Sequence, residues 1–494
     1  MSPLWQTPQP SASEYDWTDR APVIASEFDG DAHLAVDVLI IGAGPTGLTA
    51  ADACVSAGAS VALVERTARV GGLARSATVA GNDIDLGGHR LLSTTPKQRQ
   101  VWLDFADRLG DIPMSDIGRR SGILRDGYVV AYPFEWRQFR DSVPWPVRAR
   151  SAASLVAHWA KAPTGRDDRT LDDWVKNRYG PFLAETFMAP HARKVFGIDP
   201  RDIPAAWASQ RILSPRFGSV IAMALPRPGR SPRPTEVVDR FLYPQGGVGV
   251  LWSGLAESLG EQVNWLFDSR VTSITKPARG RFSVVVSGPD GNIEVSCRRI
   301  ISTGRPEDLA MSLGLDKLAA AVAQRSGRRD LVVGVVHVRD SPASWRGYQW
   351  LYTHDTGIRA HRFNNYGEWT SLHCPVGLIG LEYTVPTGQT FDVAAQALKD
   401  MSILLPGGVV DFLGSEVATD AYSNFDATAD QLDRLDQALR SFGDGIISTG
   451  RQGAGIYINL DQAMRLGARV AALPCRYAGV VGREDYSPYQ EKAG

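Results

Sequence analysis

The chain has 494 residues, 44% of them apolar and 22% charged, with a formal net charge of -1. This is the make-up of a globular enzyme of more than one domain, and the balanced charge gives no electrostatic case for a nucleic-acid partner. No apolar run approaches the ~20 residues that a membrane helix needs. The four cysteines, Cys54, Cys297, Cys374 and Cys475, are scattered, with neither metal-ligand spacing nor a disulfide framework, so no metal and a reducing, cytoplasmic setting are expected.

The first 33 residues lack the basic start and apolar core of a secretory signal. They read as an extended arm in which Trp5 and Trp17 are candidates to dock on the domain. A continuous apolar strand follows, Val36 to Ile41, then Gly42, Gly44 and Gly47 at GxGxxG spacing. A helix is predicted to about Ala57, then a strand from Ser60 to Val64 ending in Glu65. This is the complete dinucleotide-binding context. The first glycine makes the turn, the second admits a pyrophosphate, and the third packs helix on strand. Glu65 stands where a carboxylate accepts the ribose hydroxyls. Gly71 and Gly72 come soon after the acid, with Arg66 and Arg75 on either side. That second glycine pair separates FAD proteins of the glutathione-reductase-like group from plain NAD enzymes.

In "DLGGHRLLST", Gly87 and Gly88 precede His89 and Arg90. A glycine pair lets the backbone approach something closely. Arg90 is expected to meet an acid or the cofactor. Apolar residues at helical spacing recur in "PVRARSAASLVAHWAKA" and in the stretch from Arg169 to Gly197, where Thr170 and Asp173 resemble a capping box. "LPRPGRSPRPTE" reads as a linker loop, and "FLYPQGGVGVLWSGLAESL" as a loop feeding a helix. The segment from Val263 to Gly304 reads as strand, hairpin and strand, with Val271 near the adenine. Four strands are predicted around "LVVGVVHV", "YQWLYTH", "RAHRFNNYGEWT" and "VGLIGLEYTV". Trp345, Tyr348, Trp350 and Tyr352 are either cleft lining or packing. A second dinucleotide-facing strand, glycine turn and helix begins near Ile446 and includes Gly450.

The fold expected is α/β. A Rossmann-like FAD-binding domain takes in 34–95, 241–310 and 440–485. A largely helical insertion fills 96–240, and a mixed or antiparallel substrate-domain sheet fills 311–439.

From about Val36 to Ala472 these motifs resemble the flavin amine oxidase and protoporphyrinogen-oxidase-like superfamily, most closely its UDP-galactopyranose mutase-like branch. The resemblance rests on "LGGHRLLST", "HRFNNYGEW", "GLEYT" and "GRQGAGIYINLDQAM". It implies that His89 lies against the flavin, where a positive or hydrogen-bonding group stabilises reduced flavin. Arg362, Arg451 and Tyr457 become catalytic candidates. Asn364 and Tyr383 join Arg362 and Tyr457 on the substrate, and Arg451 and Asp461 touch the cofactor. Phe196 stands where the family commonly has tryptophan. The mutases' tyrosine-rich stretch after the Glu382-Tyr383 pair is not visible, and "RILSPR", with Arg211 and Arg216, is only loosely similar.

Two functions stay open. One is a redox-neutral ring rearrangement of a nucleotide-activated sugar on reduced flavin, with Arg362 and Arg451 holding the diphosphate from opposite sides. The other is oxidation of an amine, alcohol or ring carbon of a small molecule. NAD(P)H is a candidate reductant for the first. No histidine or cysteine lies in a recognisable flavin-attachment motif. The purified protein is therefore expected to be yellow and to release its FAD on denaturation. A colourless protein that takes up no FAD on reconstitution would contradict this.

Overall fold

The structure is a computed structural model. It describes residues 32–483 apart from 93–94, 133–138, 140–141, 162–166, 204, 206–239, 279, 370–373 and 424–428. The N-terminal arm with Trp5 and Trp17, the linker loop, and Arg211 and Arg216 lie outside the described residues.

The first sheet has eight strands. Its parallel part runs β10 (Val263–Leu266), β2 (Val61–Val64), β1 (Ala32–Ile41), β13 (Gly291–Ser302), β19 (Ile446–Ser448) and β20 (Gly479–Val480). The antiparallel strands β12 (Arg281–Gly288) and β11 (Arg270–Ala278) extend it beside the first half of β13. Buried Val38, Ile40 and Leu63 line one face, and Leu39, Ala62 and Val64 the other. Both faces are covered, so the strands read as continuous apolar runs.

Between β1 and β2 runs the helix Pro45–Ser56. A Cβ at Gly47 would collide with the Gly42 carbonyl oxygen, and one at Gly467 with the Thr46 carbonyl oxygen. The second collision shows how closely the helix Leu460–Ala471 lies against the first. Arg299, 1% exposed on β13, holds that later helix by its C-terminal end. Its guanidinium donates to the carbonyl oxygens of Val470, Ala471 (3.0 Å) and Leu473 (2.9 Å). A cation there satisfies orphan carbonyls and complements the helix dipole.

The second sheet has seven strands, in the order β18 (Val410–Tyr422), β14 (Arg329–Val338), β17 (Leu378–Pro386), β16 (Arg362–Asn365), β15 (Trp350–Thr353), β7 (Ser121–Arg125) and β8 (Tyr128–Tyr132). Every pair is antiparallel except β15 with β7. A small sheet joins β5 (Leu91–Leu92), β9 (Arg240–Pro244) and β6 (Met114–Gly118), and a hairpin pairs β3 (Ser76–Val79) with β4 (Asn82–Asp85).

Two readings of the sequence change here. The span 96–240 contains β6, β7 and β8, and the last two belong to the seven-stranded sheet. The signal was "RDGY": Asp126 and Gly127 both have positive φ, as a two-residue hairpin turn requires. "FLYP" is strand β9 rather than loop. The Thr170–Asp173 capping box is present. Among the described residues no helix is long and apolar enough to cross a membrane, and no group of histidine, cysteine and acidic residues is arranged to hold a metal.

Replacing Arg299 with leucine should lower stability by about 2–4 kcal/mol, because three buried carbonyls lose a charged donor. Urea unfolding should show a lower midpoint at an unchanged slope.

Candidate active site

The cofactor cradle starts at the carboxyl ends of β1 and β2. Gly42 has φ +102° and donates its N–H to Val64 O (2.8 Å). A Cβ on Gly44 would meet nothing within 4 Å, whereas one on Gly72 would lie 3.2 Å from Gly44 Cα. The two glycine turns are thus pressed together, with Gly71 N–H on Ala43 O at 2.8 Å. The helix Pro45–Ser56 has no side-chain cap. Its first-turn N–H groups suit a phosphate. Glu65 accepts from Ala43 N–H (2.9 Å) through Oε2 and from Thr67 N–H (3.1 Å) through Oε1. A carboxylate has acceptor sites left for ribose hydroxyls. Ser269 N–H bonds Glu65 O (3.0 Å) and so brings the start of β11, with Val271, beside the same strand end. Gly450 (φ +78°) closes the cradle: a Cβ there would sit 3.4 Å from Thr46 Oγ1.

At the far end lies the "DLGGHR" loop. Asp85 pins it. The fully buried carboxylate accepts from Ser76 Oγ (2.6 Å), Tyr243 OH (3.1 Å) and Val248 N–H (3.0 Å), and its carbonyl accepts from Tyr366 OH (2.9 Å). Burial pushes the acid up to about 7 against those three donors. The absent side chains of Gly87 and Gly88 face the seven-stranded sheet. A Cβ on Gly87 would touch Arg362, and one on Gly88 would collide with the Trp350 ring. The glycine pair therefore lets the loop lie flat on that sheet. Arg90 stacks over Trp350 (3.5 Å) and donates to Ser121 Oγ (2.8 Å), Arg120 O (3.2 Å) and Gln349 Oε1 (3.1 Å). Aromatic and neutral groups are thus among the partners of Arg90, for which an acid or the cofactor was expected.

His89 sits between two arginines. Burial first, then Arg362 and Arg451, push its imidazole down to about 4, against the pull of Glu382. At neutral pH it is a neutral hydrogen-bonding group, not a cation. Arg362 is held by Glu382 through both Nε–Oε1 (2.8 Å) and Nη2–Oε2 (2.7 Å). Asn364 also donates to Glu382, and His361 Nε2 lies 3.3 Å from it. Glu382 is 0% exposed. Burial would raise its carboxyl, but Arg362 and His361 hold it well below the ordinary range. Arg451 lies 4.4 Å over the Tyr457 ring and 5.7 Å from that of Tyr422. Tyr352, under Arg362, is 5.1 Å from Tyr132.

His89 Nδ1, Arg451 Nε and Asn364 Oδ1 are buried polar atoms without a protein partner. Together with the open side of Gly44 they give a polar-ended cradle that fits a dinucleotide carrying a heteroaromatic ring.

The other expected residues have partners of their own. Tyr383 follows Glu382 on β17, so it points to the opposite face, where it is 0% exposed and 5.1 Å from Phe391. It packs in the core of that face. Arg66 is tied to Asp420 (2.9 Å) and Thr419, and Arg75 to Glu416 (3.1 Å) and Val417 O. Both guanidiniums join the two sheets, and Arg75 also donates to Gly72 O (3.2 Å) in the second glycine turn of the cradle. Asp461 pairs with Arg465 (2.7 Å) in the first turn of its helix. Trp345 is packed in the core with Phe363 (5.0 Å), while Trp350 and Tyr352 face the loop and cleft. Sequence reasoning missed Asp85, Tyr132, Glu382, Tyr422 and the histidines His191 and His361. The 2.0-residue period of β17 was the available signal for preferring Glu382 to its neighbour.

Replacing Glu382 with alanine should cost about 3–5 kcal/mol, since it strands a buried guanidinium. Because the native carboxyl titrates below its usual 4.5, this contribution is complete above that pH. It is lost as pH falls toward the depressed native value. Acid-unfolding curves of parent and variant should therefore converge at low pH.

Residues 40–109 match the family described as NAD(P)-binding Rossmann-like domain. Over 74 residues the chain is 43% identical to putrescine oxidase of Kocuria rosea, a match spanning 15% of this chain and 15% of that protein. The fold is similar to reduced UDP-galactopyranose mutase, with TM-score 0.75 and 22% identity, covering 88% of this chain and 93% of that one. It is also similar to putrescine oxidase bound to putrescine, with TM-score 0.54 and 20% identity, covering 89% and 99%. The chain thus has a Rossmann-like dinucleotide-binding domain set within the flavoprotein amine oxidase-type fold, and FAD is the cofactor of the flavoenzymes that share it.

Proposed function

We propose that this chain is an FAD-dependent enzyme that rearranges the ring of a nucleotide-activated sugar with no net oxidation. One observation carries the reading. Arg451 is flanked by two tyrosines beside a neutral His89, while the carboxylate nearby, Glu382, is buried and neutralised by Arg362. Such a cleft favours an anionic leaving group, and its carboxylate Glu382 is tied up in an ion pair rather than free to act as a base. Reduced FAD, when bound, supplies the nucleophile for the sugar's anomeric carbon.

The chain's own residues then have defined work. Arg451 takes a phosphate oxygen through its guanidinium. Burial raises the Tyr422 hydroxyl above its ordinary range, so it stays protonated and can donate. Tyr457, 49% exposed, stands at the mouth. Holding the departed diphosphate close makes its return effectively unimolecular, an advantage of up to about 7–11 kcal/mol in well-oriented systems. Arg362, already committed to Glu382, orients the floor of the site. The anion clamp is therefore built on one arginine with tyrosines rather than on two opposed arginines.

The second reading is oxidation of an amine, alcohol or ring carbon. It is favoured by the aromatic walls Tyr132, Tyr352 and Tyr422, and by the similarity to putrescine oxidase. Four free thiols, three of them buried, suit a cytoplasmic setting, and NAD(P)H suits the role of reductant.

Two outcomes are expected. Arg451→Ala should weaken binding of UDP by about 2–5 kcal/mol in calorimetry, with FAD content unchanged. Supplied anaerobically with UDP-, GDP- and dTDP-sugars, the dithionite-reduced enzyme should form ring-size isomers that the oxidised enzyme does not. Oxygen consumption matched one-to-one by an oxidised product, with no isomer in any case, would establish the second reading instead.

A further inference from the structure

Behind the Arg362–Glu382 pair lies a group of histidines that the proposed chemistry leaves unused. His191 comes from the helix Ala189–Phe196, His354 from the end of β15, and His361 from just before β16. The ring of His191 is 5.8 Å from that of His354 and 6.4 Å from that of His361, centroid to centroid. Its edge meets Tyr352 at 5.0 Å, which puts His191 on the cleft wall. Asp355, half-buried, follows His354 in the chain.

We propose that His191 and His354 form a proton relay between the cleft and the half-buried Asp355, with His361 as a fixed imidazole beside His191.

Four observations carry this. The Nδ1 atoms of all three rings are buried without a protein partner. Each ring therefore keeps a nitrogen available to a neighbour. His361 Nε2 faces the ionised Glu382 at 3.3 Å, which fixes the proton on Nε2 and leaves Nδ1 as an acceptor. The helix bearing His191 is clamped in place: Lys194 Nζ donates to Thr353 O (2.7 Å), Asp355 O (2.9 Å) and Ala360 O (3.2 Å), all on the segment that carries the other two histidines. The His191–His354 ring separation, 5.8 Å between centroids, is short enough for one water or one ring rotation to complete that gap, and Asp355 is the next residue in the chain after His354. The relay rests on the reading of this cleft as an active site, and not on which of the two reactions occurs there.

The charged groups around the cluster are Lys194, Arg125 and Arg362 on the positive side and Glu382, Asp355 and Asp126 on the negative side. Burial first, then the neighbouring imidazoles (His361 on His191, His191 on His354) and after them the nearby arginines and Lys194, keep His191 down at about 3 and His354 well below its usual value. The imidazoles thus work as neutral groups. One nitrogen of His191 accepts a proton from a substrate hydroxyl or amine as its other nitrogen releases one toward His354. His354 passes one on to the Asp355 carboxylate and so to solvent. One proton enters for each that leaves, no electrons move, and each ring ends as the opposite tautomer.

The test uses the full chain. Protein labelled with 15N-histidine should show, between about pH 5 and pH 8, neutral imidazoles for all three residues. His191 and His354 should have nitrogen shifts averaged between tautomers, and His361 should have a fixed Nε2–H. Frozen single tautomers for His191 and His354 would overturn the relay. In the FAD-loaded protein, photoreduction with a deazaflavin donor supplies two electrons, and a pH-indicator dye follows the proton taken up. His191→Gln and His354→Gln should slow that uptake by about tenfold or more, with flavin content unchanged. The control His337→Gln should not. Uptake at the parent rate in both variants would also overturn the proposal. A protein that takes up no FAD overturns the functional reading, and the relay is then decided by the imidazole spectra alone.

Discussion

The site depends on one buried ion pair. Glu382 is a carboxylate with no exposure at all, in the middle of the seven-stranded sheet. Leaving it unpaired would be prohibitive, so its surroundings are constrained to satisfy it. Arg362 from the adjacent strand meets it through two nitrogens, Asn364 adds a third donor, and His361 lies beside it. The register of β16 on β17, Arg362 opposite Glu382 and Asn364 opposite Gly380, makes this possible. Gly380 in turn leaves room for the Tyr366 ring, whose hydroxyl reaches the carbonyl of Asp85.

From that pair the constraint spreads to the "DLGGHR" loop. Gly87 and Gly88 lie on Arg362, Trp350 and Asn364 with no room for side chains. Asp85 fixes the start of the loop to four other segments, through Ser76, Tyr243, Val248 and Tyr366. Arg90 fixes its end by stacking on Trp350. His89, between these anchors, has little freedom left. A site whose imidazole is anchored on both sides is pre-organised, because its ordering was completed when the chain folded.

The two sheets are joined by charges rather than by a shared core alone. Asp420 on β18 receives Arg66 from the end of β2 (2.9 Å) and Arg305 from just beyond β13 (3.0 Å). Arg75 reaches Glu416 on the same strand. Gln452, next to Arg451, donates to the carbonyl of Asp420. The strand that supplies Tyr422 is therefore tied to the cradle on several sides, which holds Tyr422 near Arg451, although Arg451 lies in the short helix Gly450–Gly453 that follows β19 of the other sheet.

The amino-acid sequence by itself determined the dinucleotide unit. There the signal is local: an apolar strand, glycines where only glycine fits, and an acid at the next strand end lie within about thirty residues. The four strands from Arg329 to Pro386 and the last strand–turn–helix were legible for the same reason. The hairpin β7–β8 was legible too, through Asp126-Gly127, but helical spacing in its surroundings masked it. The tertiary structure alone decided the cleft. Tyr132, Tyr352, Tyr422 and Tyr457 are spread along the chain, so no linear window shows them as a cluster. Arg66 and Arg75 sit beside cofactor motifs in sequence, yet their long side chains turn to Asp420 and Glu416. Glu382 and Tyr383 are adjacent in sequence and opposite in space, because successive residues of a strand face opposite sides of its sheet. Partners of a buried charge are chosen by distance in three dimensions, and only the folded chain sets those distances.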